Sequence, residues 1–381
     1  MACKLITGGT GFIGGALAGA FLAKGEKVIC LSRNDPDGDR TLHNITAAMR
    51  GFGYEASPRV LANLRIEHID TQDFSRELNR FVFWQEVDEV WHCAADMNYA
   101  LENLANSYEH NVRNSVLLYQ KFSETSACTN RFYYMSTAYV GGNIGADIDE
   151  ALHLAPVLAN SYQITKFATE QTLSLASQQG NPLTILRPSI VIGHQKTGWF
   201  NFKPYGLYMF ARGFFNLAKL TSQIRLPIPA EAATNLVSVD TVINQAQLLS
   251  KTTDHRQHHE VFHLVSADNM NTRMLLSTVA DEIGLTLLYE QAQSLLERKL
   301  EKFIEPNRVY STQTWNFRIH KLRATLKDHP EAFDSVEVGS LASIIRTYYD
   351  HLLADKKKRK AVTNGINHVQ PDSRVEMAYA L

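Results

Sequence analysis

Short apolar runs alternate with helical patterns along the first two-thirds of the chain. Met1 to Leu5 lead into Ile6-Thr7, and Lys27–Ser32, Leu64–Ile69, Glu89–Ala94, Arg131–Ser136 and Leu183–Pro188 repeat the pattern. Runs that are apolar at consecutive rather than alternate positions are strands covered on both faces, and strands separated by helices build a parallel sheet. Right-handed crossovers then make the sheet doubly wound, an α/β fold. The segment Gly15-Ala16-Leu17-Ala18-Gly19-Ala20-Phe21-Leu22 is small and apolar throughout, as suits a helix buried on such a sheet. A second helical stretch, around Thr41 to Arg50, lies within the longer connection 34–62.

The pattern changes after Gly193. Residues 199–215 gather Trp199, Phe200, Phe202, Tyr205, Tyr208, Phe210, Phe214 and Phe215. They read either as a buried helix packing on the sheet or as an apolar wall over a substrate site. Residues 285–355 are mainly helical in pattern, and Lys356-Lys357-Lys358-Arg359-Lys360 opens a polar tail. The tail is expected to be solvated and flexible, with contact to anionic lipid or an acidic partner as the alternative.

Composition narrows the function classes. The 381 residues carry a net charge of -1, so no global field draws the chain to nucleic acid or membranes. The cysteines, Cys3, Cys30, Cys93 and Cys128, are widely spaced and form no Cys-x-x-Cys pair, which argues against a metal site or redox pair. Reduced thiols and a cytoplasmic location are the simplest expectation. The glycines at the N-terminus break its apolar stretch into strand and helix rather than a signal peptide, and no apolar run reaches the ~20 residues of a membrane span.

Candidate chemistry begins at Gly8, Gly11 and Gly14, which stand between the first strand and the small-residue helix. Strand, glycine turn and helix make a dinucleotide site: backbone approaches the pyrophosphate, and the helix offers N–H groups and a positive dipole end. The fold is therefore expected to be a Rossmann domain. Arg33 follows the second strand directly and would suit the 2′-phosphate of NADPH; Asp35, two residues on, would suit the ribose diol of NADH. NADPH is the expected cofactor. Asp70, after the third strand, could accept from the adenine amino group or cap the next helix. Ser136-Thr137 ends the fifth strand, at the carboxyl edge where such sheets bind ligands. Tyr162 and Lys166, four apart in a helical segment, share one face. An ammonium beside a phenol lowers the phenol's pKa and makes it a usable acid. Ser136, with Thr137 as fallback, could hold a carbonyl oxygen.

Together these residues resemble the extended short-chain dehydrogenase/reductase superfamily, and within it the thioester reductase and fatty acyl-CoA reductase branch. The resemblance rests on Thr7-Gly8-Gly9-Thr10-Gly11-Phe12-Ile13-Gly14, His92-Cys93-Ala94-Ala95, Ser136-Thr137-Ala138-Tyr139-Val140, Tyr162-Gln163-Ile164-Thr165-Lys166 and Leu186-Arg187-Pro188-Ser189-Ile190-Val191-Ile192-Gly193. Thr197-Gly198 and Val237-Ser238-Val239-Asp240 also fit, and the match spans residues 1 to about 285. It implies Ser136, Tyr162 and Lys166 as catalytic residues. Gly8, Thr10, Gly11, Phe12, Ile13 and Gly14 would form the pyrophosphate turn, with Arg33 selecting NADPH. Ala94 and Ala95 would line the cofactor, and Pro188, Ser189 and Ile190 would lie beside the nicotinamide. Two glycines common in the family are Ile69 and Asn114 here.

The implied reaction is reduction of a CoA- or carrier-bound acyl thioester to an aldehyde, with an alcohol after a second hydride. The alternative on the same scaffold is an epimerase, a dehydratase or a hydroxysteroid-type dehydrogenase. With no carrier-protein or adenylation pattern in the sequence, a tethered acyl group is expected to arrive in trans. The expected domains are 1–198, NADP-binding and catalytic; 199–355, substrate-binding and helical, with 235–265 returning to the core; and 356–381, the tail.

Overall fold

The computed structural model describes residues 2–142, 147–203, 205–252 and 258–365, excepting the side chains of 358–365. The chain divides into two compact units. The first holds residues 1–201, 235–269 and 315–336; the second holds 202–234, 270–314 and 337–381.

A seven-stranded sheet organises the first unit. Its strands are β1 (Cys3–Thr7), β2 (Lys27–Ser32), β3 (Leu64–His68), β4 (Glu89–His92), β5 (Arg131–Met135), β6 (Leu183–Pro188) and β7 (His259–Leu264). Their order across the sheet is β7-β6-β5-β4-β1-β2-β3, and every neighbouring pair is parallel. The order reverses between β1 and β4, the switch point at which doubly wound sheets open a crevice at their carboxyl ends. The expected Rossmann architecture is present. The seventh strand comes from the returning segment 235–265.

Consecutive apolar residues in these strands feed opposite faces of the sheet. Ile6, Trp91, Tyr133, Leu186 and Phe262 join one core with Leu17 and Phe21 of helix α1 (Phe12–Ala23) and Ile45 and Met49 of helix α2 (Asp39–Gly51). Leu5, Val90, Phe132, Tyr134 and Ile185 join the other with Leu118 and Phe122 of helix α3 (Asn114–Thr125) and Leu173 of helix α4 (Ser161–Ser177). Trp91 stacks on Tyr133 at 4.0 Å between ring centres. A further stretch, 315–336, returns to the first unit; its Ile319, Leu322, Leu326 and Ala332 enter the first core.

In the second unit, helices α5 (Leu207–Leu217), α7 (Thr272–Asp281), α8 (Leu295–Thr312) and α9 (Val338–Gly365) pack together; α6 (Val239–Thr252) belongs to the first unit. The aromatic stretch corrects the expectation. Tyr208, Phe210, Phe214 and Phe215 lie on α5, but the helix is buried among other helices, with Tyr208 against Tyr348 and Phe215 against Tyr349. Phe214 is 0% and Phe210 4% exposed, so neither offers a free apolar wall. Trp199 instead belongs to the first unit, packed on Phe12 and Phe52. Residues 356–365 continue α9, whose lysines, arginine and alanine over 356–361 favour helix. The rest of the expected tail lies outside the described residues. Among the described residues no helix is long and apolar enough to cross a membrane, and no cluster of three His, Cys, Asp or Glu is placed to hold a metal.

Candidate active site

The glycine turn is shaped by close approach of backbone to backbone. Gly8 has φ +78°, and a Cβ there would stand 2.8 Å from Ala94 N. A Cβ on Gly14 would stand 2.4 Å from the Gly8 carbonyl. Only glycine fits either place, and the turn brings β1 and α1 together without side chains between them. Gly11 caps α1 and supplies no side chain to its first turn, leaving Phe12 and Ile13 to present backbone N–H groups at a positive helix end. Asn44 of α2 braces the turn from behind, donating to Gly9 O at 2.7 Å and Gly11 O at 2.9 Å. Thr7, Ala94 and His92 tie the turn to the end of β4: Ala94 N donates to Thr7 Oγ1 at 3.1 Å, and His92 Nδ1 lies 2.7 Å from the same oxygen. This cradle, which a Cβ would fill, fits the pyrophosphate of a dinucleotide.

At the end of β2, Arg33 is exposed while Asp35 is buried. The Asp35 carboxylate accepts from Arg40 N, Thr41 N and the Thr41 hydroxyl at 3.1, 2.9 and 2.6 Å. Burial alone would raise its pKa; these hydrogen bonds outweigh burial and hold it below the usual carboxylate value. Asp35 is thus engaged by the start of α2, which leaves Arg33 as the residue of this pair turned to solvent. Asp70 accepts from Gln72 N at 2.9 Å, closing a turn. The helix that follows is Phe74–Arg80, and its N-cap position falls at Asp73, so Asp70 is not its cap.

Ser136 and helix α4 converge beyond the end of β5. Ser136 is 3% exposed, and its Oγ has no hydrogen-bond partner among the described residues. Thr137 is occupied: its hydroxyl accepts from Tyr139 N at 3.4 Å. Asn160 caps α4, accepting from Gln163 N at 2.9 Å, and so fixes where Tyr162 and Lys166 fall on the helix. Lys166 is 2% exposed and donates to Met135 O, the residue before Ser136, at 2.7 Å. Its ammonium lies 4.6 Å from the centre of the Tyr134 ring and 6.0 Å from that of Tyr162. Burial pushes the Lys166 pKa down to about 8, against the opposing pull of Cys93 and Glu170. The Tyr162 ring also meets Tyr99 at 5.9 Å. Ser161 Oγ donates to Asn98 O at 2.5 Å, which fastens the segment after β4 to the start of α4.

Pro188 ends β6, and Ile190–Ile192 pairs in parallel with Leu236–Ser238. Ser189 Oγ donates to Asn235 Oδ1 at 2.6 Å, and Asn235 Nδ2 reaches Ser266 O at 3.1 Å. The stretch Pro188–Ile190 is therefore held by the returning segment. Sequence reasoning passed over Asn44, Asn111 and Asn235. Each is a polar side chain that fastens a loop of the site to a distant element, and isolated asparagines carry no pattern. It also passed over Arg187 and Glu170, which form a bidentate pair at 2.9 and 2.6 Å, both fully buried.

Residues 6–246 match the male sterility protein family. Over 203 residues the chain is 28% identical to the non-ribosomal peptide synthetase CmlP of Streptomyces venezuelae, covering 51% of this chain and 19% of that one. Over 276 residues it is 28% identical to the NRPS-like oxidoreductase fscA of Fusarium equiseti, covering 68% of this chain and 24% of that one. The chain thus spans about a fifth to a quarter of the length of these curated relatives. Among solved structures, the terminal R domain of the myxalamid PKS-NRPS pathway superposes with a TM-score of 0.73 at 20% identity, covering 92% of this chain and 91% of that one. The UDP-glucuronic acid 4-epimerase of Bacillus cereus with NAD superposes at 0.62 and 18% identity, covering 91% and 95%. At these identities the structural likeness is one of fold. The family match, together with the glycine turn and the Ser136, Tyr162 and Lys166 motifs, places the chain in the male sterility protein family, the thioester reductase branch of the extended short-chain dehydrogenases/reductases, whose members are NAD(P)-dependent oxidoreductases.

Proposed function

We propose that this chain uses NADPH to reduce an acyl thioester, presented in trans by a carrier protein, to an aldehyde and a free thiol. The observation that carries the proposal is Ser136 Oγ, a buried hydroxyl with no partner among the described residues, on the strand end where Lys166 anchors helix α4. A buried polar atom costs free energy unless something bonds it, and a substrate carbonyl oxygen is a suitable acceptor. When bound, the reduced nicotinamide supplies hydride to the thioester carbonyl carbon. The chain's own residues govern the oxygen: Ser136 donates a hydrogen bond to it, and Tyr162 gives it a proton as negative charge builds there. Lys166, positive near the Tyr162 ring, stabilises the phenolate that results. The hemithioacetal so formed collapses, its C–S bond breaking as the hydroxyl proton leaves, to give aldehyde and thiol. A second hydride on the aldehyde, with Tyr162 again as donor, would give an alcohol.

Carrier delivery is supported by the relatives, one a non-ribosomal peptide synthetase and the other an NRPS-like oxidoreductase. One solved neighbour, at a TM-score of 0.71 and 18% identity, is a thiolation-reductase di-domain from an archaeal synthetase. NADPH over NADH is supported by Arg33 standing exposed where Asp35 is already engaged. The test is oxidation of NADPH and NADH by the purified chain with acyl-carrier, acyl-CoA, aldehyde and nucleotide-sugar substrates. The expected result is NADPH-dependent release of thiol from acyl-carrier. Turnover of a nucleotide sugar without thioester reduction would overturn the proposal.

A further inference from the structure

A continuous chain of hydrogen bonds, none of it used in the reaction above, crosses the middle of the sheet. Ala94 N–H donates to Thr7 Oγ1 at 3.1 Å, and Thr7 Oγ1 lies 2.7 Å from His92 Nδ1. His92 Nε2 lies 2.7 Å from Ser115 Oγ, which donates to Asn111 O at 2.5 Å. All five groups belong to the first unit. The proton positions follow from what each end can do. A carbonyl only accepts, so the single Ser115 hydroxyl proton goes to Asn111, and Ser115 Oγ must accept from His92 Nε2–H. An amide N–H only donates, so the Thr7 hydroxyl keeps its proton for Nδ1. The chain closes with every donor matched, and only for neutral His92 in the Nε2–H tautomer. Burial keeps the ring neutral, pushing its pKa down to about 3, and the Lys166 charge acts in the same direction.

The two ends of the chain hold the two halves of the site. Thr7 precedes Gly8 in the cofactor cradle, and Ala94 closes over that glycine. Asn111 sits in a π-helical turn, Glu109–Arg113, ahead of α3. Its side chain donates to Thr165 at 3.0 Å, and its carbonyl lies 2.9 Å from the Thr169 hydroxyl, which also reaches Thr165 O at 2.7 Å. Thr165 and Thr169 flank Lys166 on α4, and the Thr165 hydroxyl shares its proton between Ser161 O at 2.9 Å and Tyr162 O at 3.1 Å. His92 is therefore the midpoint between the glycine turn and the helix that carries the proton donor.

We propose that His92 is a positioning residue: one ring nitrogen holds the cofactor cradle through Thr7, and the other holds helix α4 through Ser115 and Asn111, so that the nicotinamide and Tyr162 keep a fixed separation. The proposal rests on the reading of the site as that of a reductase. It requires nothing of His92 as an acid or base.

The two nitrogens can be tested separately. Asparagine places an acceptor where Nδ1 stands, and glutamine places a donor where Nε2 stands. His92→Asn should keep the Thr7 contact and lose the Ser115 contact; His92→Gln should do the reverse. Loss of one buried hydrogen bond corresponds to a change of roughly tenfold. H92Q is expected to raise the Kd for NADPH about tenfold while leaving kcat within about threefold, and H92N to lower kcat about tenfold while leaving that Kd in place. Equal changes in both parameters for both variants would show that the ring only fills space, and would overturn the proposal. A readout independent of the activity of the variants is the long-range proton–nitrogen spectrum of the wild-type histidines. The expected signature for one buried histidine is a neutral Nε2–H tautomer that persists unchanged to about pH 5; among these signals His92 is the one lost in either variant. An Nδ1–H tautomer or an ordinary titration for that residue overturns the chain. The tautomer and the Kd shift need no acyl substrate. If the wild-type chain reduces no thioester, the reductase reading fails, while these two measurements still decide the positioning of the cradle.

Discussion

The alkaline limit of the reaction should be set by one buried ammonium. Lys166 is 2% exposed, donates to Met135 O at 2.7 Å, and lies 4.6 and 6.0 Å from the ring centres of Tyr134 and Tyr162. Cys93 and Glu170 favour its charge, but burial prevails and brings the pKa from 10.5 to about 8. That displacement corresponds to about 3 kcal/mol disfavouring the charged form inside the protein, at ~1.4 kcal/mol per pKa unit. If the ammonium is what makes Tyr162 a proton donor, kcat/KM should be flat below about pH 8 and fall about tenfold per unit above it. Stability moves the other way. Between about 8 and the unfolded value of 10.5 the unfolded chain binds the extra proton, so the contribution of Lys166 to stability rises with pH through this window. The measurement is kcat/KM for NADPH oxidation from pH 6 to about 10.5, beside melting curves of wild type and Lys166→Met. The expected result is a unit-slope loss of activity while the wild type gains stability relative to the variant. Activity that stays flat to pH 10, or that falls only in step with melting, refutes the reasoning.

Tyr162→Phe should lower kcat by about 10²- to 10⁴-fold and leave the Kd for NADPH within about threefold, measured by steady-state turnover and fluorescence titration; retained turnover would remove Tyr162 as proton donor. Arg33→Ala should raise the Kd for NADPH at least about tenfold and leave NADH unaffected, because a guanidinium has no phosphate to meet on NADH; an equal change for both cofactors would assign Arg33 another role. Glu297 closes a capping box with Ser294 at the start of α8. Burial would raise its pKa, but donation from Ser294 N, Gln293 N and Arg225 N brings it to about 2. A depressed carboxyl contributes stability above its unfolded pKa of 4.5 and loses it as pH falls toward 2, so Glu297→Gln should destabilise the fold by about 3 kcal/mol at pH 7 and much less near pH 2, read by urea unfolding.

The sheet was legible because its strands obey one physical rule. A strand covered on both faces cannot alternate, and β1, β5 and β6 are buried at every position. The glycine turn was legible because Gly8 and Gly14 tolerate no Cβ, which forces their spacing into the sequence. That Tyr162 and Lys166 share one helix was legible from their spacing of four. What escaped was governed by partners far away in sequence. The aromatic stretch 199–215 announces burial, yet apolar side chains do not record whether a sheet or a helix will cover them. Segment 315–336 returns to the first unit, where Asn316-Phe317 pairs with Asp147-Ile148, a two-residue contact too short to leave a period. Asn111 fastens α4 from 54 residues away, and its π-turn departs from the helical spacing that pattern reading assumes.

The charges inside the sheet explain how these distant pieces hold their register. Arg131 opens β5 fully buried, donating to Thr184 of β6 at 2.8 Å and pairing with Glu260 of β7 at 3.3 Å. Arg187, next to last in β6, takes Glu170 of α4 through two nitrogens, with His153 and His263 at 3.2 and 3.4 Å from a third. Replacing such pairs with apolar groups can leave a protein as stable or more so, so net stability is a weak account of them. Geometry is a stronger one. A hydrophobic contact between helix and strand tolerates a slip of one turn, whereas a bidentate guanidinium–carboxylate pair is satisfied at a single register, and either partner alone would be a buried, uncompensated charge. Glu170 stands one helical turn beyond Lys166, and Arg187 directly precedes Pro188. The pair therefore locks the helix of Tyr162 and Lys166 to the strand that leads into Pro188–Ile190. His92 joins that same helix to the glycine turn across the sheet's switch point. Two loops and a helix of the site thus meet at fixed offsets because polar groups, each able to bond in only one arrangement, lie in an otherwise apolar core.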